Sequence, residues 1–341
     1  MPDEPLRRVC IIQIERTNKT GKENAVVTKD RKCNLIIDSC CDLPADLVES
    51  FEVELIKFTF SMSDGEHFDD LGVTMTSHEF YERMRKGEEP KTAQVPYSQI
   101  IESFERAALG GIPTVYLVFT SGLSGTYETA AVAARDIMES HPGFELYVVD
   151  TKLPSAAEGM LVMEAVRQVD RGLTAKEIVA WAEEARYHIH GFFTMPDLES
   201  LRRGGRIPDV AAIAGAKLDI KPIVSYDLDG KLTLHGVARG RKKSIKQLIQ
   251  LFQDRYKGND KTVFVVSADA LKEQEELAED VLAATNNSVV IWQTQIGPVI
   301  GSHVGPGMIA VVFWGPDRRK SLSISDRIAN AVSGRTSSSE Q

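Results

Sequence analysis

The chain has 341 residues, of which 43% are hydrophobic and 26% charged, with a net charge of −9. That length exceeds one ordinary core and favours two domains, and the acidic balance speaks against nucleic acid as a partner. No apolar run reaches the roughly 18 residues a membrane span needs, so an integral membrane protein is not expected.

The opening "MPDEPLRRVCIIQIERTN" has too short an apolar core for a signal peptide, and a cytoplasmic location is expected. Residues 1–33 read as a polar N-terminal extension with one apolar stretch, Val9–Ile14, that has no assigned element. The run "NLIID" (34–38) reads as a buried strand. Asp42 is placed to cap a helix in "DLPADLVESF", with Pro44 in its first turn. "VELIKFTFSMSDGEHF" reads as two strands around the turn Asp64-Gly65. "TSHEFYERMRKG" is an amphipathic helix stopped at Gly87. The spacing of Ile100, Ile101, Phe104 and Ala107 predicts a helix over 98–109. "PTVYLVF" (113–119) is continuous and β-branched, as in a strand covered on both faces.

A helix of small residues follows over 124–140, then the strand "ELYVVD" (145–150). Two capping boxes are predicted, Ser155 with Glu158 and Thr174 with Glu177, opening helices over 155–172 and 174–188. Strand and helix alternate over 34–172, which implies a parallel sheet.

The second half differs. It holds the strand "HGFFTM" (190–195), a hairpin around Asp229-Gly230, a helix beginning near Lys243, and strands in "TVFVVSAD", "SVVIWQTQIG" and "MIAVVFWG". Hairpins and period-two alternation mark a mixed sheet. The expected fold is therefore α/β with two domains: an N-terminal three-layer α/β/α parallel sheet and a C-terminal two-layer mixed sheet with helices. The expected divisions are 1–33 (extension), 34–160, 161–315 and 316–341 (a partly ordered tail). The cysteines Cys10, Cys33, Cys40 and Cys41 lack zinc-site spacing and read as free buried thiols.

Three stretches carry the chemistry. "TSGLSGT" (120–126) joins the end of a buried strand to a helix N-terminus, an edge where α/β sheets bind ligands and where backbone N–H groups favour an anion. Gly122 and Gly125 allow close backbone approach, and Ser121 and Ser124 add donors. Ser124 equally fits a simple helix cap. The loop has neither the Walker lysine nor a G-x-S-x-G elbow. "GPVIGSHVGPGM" (297–308) holds His303 in a Gly- and Pro-rich loop, a ligand candidate. "SLRRGGRIP" (200–208) gathers Arg202, Arg203 and Arg206 as either turn-fixing charges or a docking patch for an acidic partner.

Six segments in order, "IIDSCCDLP" (36–44), "TAQVP" (92–96), "TSGLSGTYETA" (120–130), "DTKLPSAAEGML" (150–161), "LESLRRGGRI" (198–207) and "IGPVIGSHVGPG" (296–307), resemble the DegV family of fatty-acid-binding proteins. Some members carry substrate for a fatty acid kinase. The resemblance implies two domains closing over one long-chain acyl group, with no cofactor. It implies a carboxylate held by Thr92, by Ser121 or Ser124 with Gly122 beside them, and by His303. The implied partners are a long-chain fatty acid and an ATP-dependent fatty acid kinase. The implied role is a carrier rather than an enzyme; the alternatives are a kinase subunit or acyl transferase using His303, or a lipid-sensing regulator. The family's usual "TSQP" is here altered to Ala93 and Val95, with Pro96 one place later.

Overall fold

The computed structural model describes residues 11–12, 31–207, 219–258 and 260–321. In chain order the first half holds β1 (Ile11–Ile12), β2 (Asn34–Asp38), α1 (Ala45–Ser50), β3 (Glu54–Ile56), β4 (Thr59–Met62), β5 (Gly65–Phe68), α2 (Ser77–Arg85), β6 (Lys91–Ala93), α3 (Tyr97–Gly110), β7 (Thr114–Val118), α4 (Thr126–Ser140) and β8 (Leu146–Asp150). Then come α5 (Ala156–Asp170), α6 (Ala175–Ala185), β9 (Ile189–Thr194), α7 (Glu199–Arg203), β10 (Ile220–Tyr226), β11 (Leu232–Arg239) and α8 (Arg241–Arg255). The chain continues with β12 (Thr262–Ser267), α9 (Leu271–Ala284), β13 (Val290–Gln295), α10 (Pro298–Val304) and β14 (Ile309–Trp314).

The first half builds a four-stranded parallel sheet in the order β3-β2-β7-β8. All five residues of β7 are buried, as a strand inside a three-layer unit must be. A small antiparallel sheet, β5-β4-β6, stands beside it. The second half builds a mixed seven-stranded sheet in the order β1-β13-β12-β14-β9-β10-β11. Ile11 and Ile12, from the apolar stretch left without an element, pair in parallel with Ile291 and Trp292 at its edge. The rest of that stretch lies outside the described residues, as does the tail beyond 321.

Period-two patterning divides the seven-stranded sheet's two faces. Val263, Val265, Val311 and Phe313 pack with Leu248, Phe252 and Leu277 of α8 and α9. Phe264, Val266, Ala310 and Val312 face the other way, into a core continuous with that of the parallel sheet. Helix α5 contacts strands of both sheets, so one apolar body joins the halves.

Local signals succeed where no distant group competes. Thr174 and Glu177 form the expected capping box. Asp42 does not cap α1; Pro44 stands at that position. The Asp42 carboxylate is buried and accepts the N–H of Gly297 at 2.8 Å and the hydroxyl of Ser155. Ser155 therefore makes no cap for α5, and its expected partner Glu158 is buried, with burial pushing its carboxyl well above the usual range. Cys33, Cys40 and Cys41 are free and buried, and burial pushes the Cys33 thiol up to about 12. Cys10 lies outside the described residues.

Candidate functional site

Between the parallel sheet's loops and the seven-stranded sheet lies a cavity with about 850 Å³ of atom-free space, its open mouth included. Most of its wall is apolar, with Phe58, Phe119, Phe193, Val266, Ala310 and Val312 among the lining side chains. One corner is polar, formed by Thr92, Gln94, Ser124, Arg206 and His303.

Each polar residue arrives from a different element. Thr92 sits at the centre of β6, opposite Phe60 of β4. Ser124 lies in the loop before α4. His303 stands in the last turn of α10: the segment read as a Gly-rich loop is a short helix with Pro298 in its first turn. Two buried carboxylates hold that helix's start, Asp42 on the N–H of Gly297 and Asp69 on that of Val299 at 3.2 Å. Burial pushes Asp69 up to about 7 and Asp42 well above the usual carboxyl range.

Thr92 Oγ1 lies 2.8 Å from His303 Nε2. His303 Nδ1 is buried with no hydrogen-bond partner. Burial, aided by the Arg206 charge, lowers the imidazole to about 4, so the ring is neutral at pH 7. Arg206 is anchored through Nε to the Leu123 carbonyl at 3.2 Å and through Nη1 to that of Gly204. The corner thus combines a guanidinium, two hydroxyls and a neutral imidazole at the mouth of an apolar lane. That donor set suits a carboxylate, and the lane suits a hydrocarbon.

The hydroxyl loop divides its labour. Ser121 turns away from the cavity: its Oγ donates to Asp150 Oδ2 at 2.6 Å, and its N–H donates to Oδ1 at 3.1 Å. Gly122 is also off the cavity wall and fits against the β10–β11 turn, where an added Cβ would fall 2.7 Å from the Asp229 carbonyl oxygen. Ser124 lines the cavity while accepting the N–H of Thr126 at 3.3 Å, one place before Gly125, which stands at the cap of α4. Val95, one of the departures from "TSQP", is fully buried and donates its N–H to Thr126 Oγ1. Ala93 and Gln94 line the cavity.

The structure separates the three arginines that read together as turn-fixing charges or a docking patch. Arg202 pairs with Glu199 at 2.8 Å and Arg203 with Glu89, both exposed, while Arg206 turns inward to the cavity. Spacing in "RRGGR" does not reveal which arginine points in, so the sequence gives no sign of a guanidinium at the cavity. Glu184, His188 and Asp317 also come together, but Arg319 is bonded to both carboxylates there. No helix among the described residues is long and apolar enough to cross a membrane.

Residues 32–315 match the family model described as "Uncharacterised protein, DegV family". The chain belongs to the DegV family. A DegV domain-containing protein of Clostridium perfringens is 34% identical over 286 residues, covering 84% of this chain and 98% of the relative. Among solved structures, one described as fatty acid binding of a DegV family protein from Thermus thermophilus superposes with a TM-score of 0.74 at 27% identity. It covers 84% of this chain and 100% of that one. A stearic acid-binding protein from Eubacterium ventriosum gives 0.72 at 27% identity over 85% and 99%. The DegV match ends at residue 315, and the described chain goes on to a short 3-10 turn at Arg318–Ser321.

Proposed function

We propose that this DegV protein binds one long-chain fatty acid, with the carboxylate at Thr92, Ser124, Arg206 and His303 and the acyl tail along the apolar lane. The observation that carries the reading is the joining of a polar corner, built on the Thr92–His303 pair, to a cavity whose wall is mostly apolar. Each buried methylene contributes about 0.8 kcal/mol, so the tail drives binding while the corner orients it. Native mass spectrometry of protein purified without added ligand tests this. A bound mass in the fatty-acid range is expected, and protein that stays ligand-free even after incubation with octadecanoic acid would overturn the reading.

The finer role is that of a cytoplasmic carrier that presents the carboxylate to a separate ATP-dependent fatty acid kinase. The mouth supports it, because Ala93 and Gln94 beside the polar corner are exposed. Arg202 and Arg203 are the docking charges in this reading. The two-domain division at 160 and 161 belongs to the same proposal, with the cavity between the halves. An enzyme reading would use His303 as its base. The discriminator is turnover: the protein alone with ATP and octadecanoic acid should form no acyl phosphate, and should do so once a fatty acid kinase subunit is added. A lipid-sensing regulator would bind the acid and support no phosphorylation with the kinase.

A further inference from the structure

The cavity wall grades from open to closed. Ala93 and Gln94 at the polar corner are exposed, whereas Gly191, Tyr226, Leu232 and Val312 are buried. Strand register fixes the direction of the lane. Met308 just before β14 and Ala310 and Val312 within it line it in turn, with Phe193 of β9 opposite Ala310 and Gly191 opposite Val312. One pleat further, Ile189 lies opposite Trp314, and neither is on the wall. The lane therefore stops at the level of Gly191 and Val312.

Tyr226 closes it there. An added Cβ at Gly191 would fall 2.8 Å from Cε1 of Tyr226 and 3.3 Å from its Oη, so the ring lies directly on the Gly191 backbone. The hydroxyl donates to the Ile189 carbonyl at 3.1 Å, pointing away from the polar corner. Arg318, which is not on the cavity wall, stacks its guanidinium 4.6 Å from the ring centroid. Its Nη1 donates to the carbonyls of Tyr226 and Asp227, each at 3.1 Å, and its Nη2 to that of Arg186 at 3.3 Å. Arg318 lies past the last strand and past the end of the family match. A segment past the end of the family match thus braces the end of the lane.

We infer that Tyr226 is a specificity-determining residue that sets the longest acyl chain this protein accepts. Arg318 is a positioning residue that keeps the ring from swinging aside. The inference rests on the fatty-acid reading above. Swinging the ring would break the buried hydrogen bond to the Ile189 carbonyl and the cation stacking together, so the stop is rigid rather than a yielding methyl wall.

Displacement titrations on the full chain test it, with dodecanoic, hexadecanoic, octadecanoic and docosanoic acids as probes. Wild type should discriminate against docosanoic acid. Tyr226→Ala should raise docosanoic over hexadecanoic affinity by about fifteenfold, taking two newly buried methylenes at about fourfold each. Tyr226→Phe and Arg318→Leu should each shift the ratio in the direction of the alanine variant by less, since each removes one of the two restraints on the ring and leaves the ring in place. Should Tyr226→Ala not fold, Tyr226→Leu shortens the stop with less loss of packing and is read the same way. An unchanged ratio in a folded Tyr226 variant that still binds hexadecanoic acid overturns the stop alone. Wild type that binds none of the four acids overturns the fatty-acid reading, and the stop with it.

Discussion

Replacing Thr92 by valine keeps the side chain's branching and removes one hydroxyl. That hydroxyl lies 2.8 Å from His303 Nε2, and Nδ1 of the same ring already has no partner. The variant therefore leaves the imidazole unpaired at both nitrogens and a bound carboxylate one donor short. Leaving a buried charged acceptor short of a donor costs about 1–3 kcal/mol, which is roughly 5- to 150-fold in Kd. No cavity cost is added, since the branched volume is retained. Displacement of a fluorescent fatty acid measures the loss, with the melting curve as a check on the fold. The sharper test is a double-mutant cycle with His303→Gln. Both changes dismantle one hydrogen-bonded pair, so the second should cost less than it does alone, with a coupling of about 0.5–3 kcal/mol. Wild-type affinity in a folded Thr92→Val protein, or strict additivity with His303→Gln, would refute the assignment of this pair to the head-group site.

Four further outcomes are expected. A carboxylate beside His303 raises the imidazole from its ligand-free value of about 4. Binding then takes up a proton, so affinity measured by titration should rise as pH falls from 7 toward 5, by less than tenfold per unit, and His303→Gln should flatten the slope. Delipidated protein should melt lower and regain about 2.7 kcal/mol with octadecanoic acid at a hundredfold excess over Kd; equal recovery with butyric acid would show that the tail is not the driver. Gly122→Ala should destabilise the fold by about 1–3 kcal/mol in chemical denaturation, because the new methyl meets the rigid backbone of the Asp229-Gly230 turn at 2.7–2.8 Å. Arg203→Glu should slow kinase-dependent phosphorylation of the bound acid while leaving fatty acid affinity unchanged, with the defect shrinking as salt is raised; a wild-type rate at every salt would remove Arg203 from the docking surface.

The longer strands and helices and their alternation are legible in the sequence, because hydrophobic periodicity is a local property that survives whatever packs around it, whereas the short β1, β6, α7 and α10 carry too little of it to be read. β7 reads as a strand covered on both faces and is one. The Thr174–Glu177 cap forms as written because its partners are three residues apart and exposed. The motifs also carried the family, and with it the expectation of Thr92, His303 and either Ser121 or Ser124 as head-group residues. Tertiary structure decided what each polar side chain does. Ser155 and Glu158 have the same spacing as the Thr174 cap, yet Asp42 takes the Ser155 hydroxyl from 113 residues away. Asp150 takes Ser121 in the same way from 29 residues away, which leaves Ser124 to the cavity. Arg206 and Tyr226 gave no local signal, since one end of the lane is an arginine turned inward and the other a ring laid on a glycine of a neighbouring strand. A buried hydrogen-bonding group must find a partner or face a desolvation cost of about 1–3 kcal/mol, and only the folded chain determines which partner is within 3 Å.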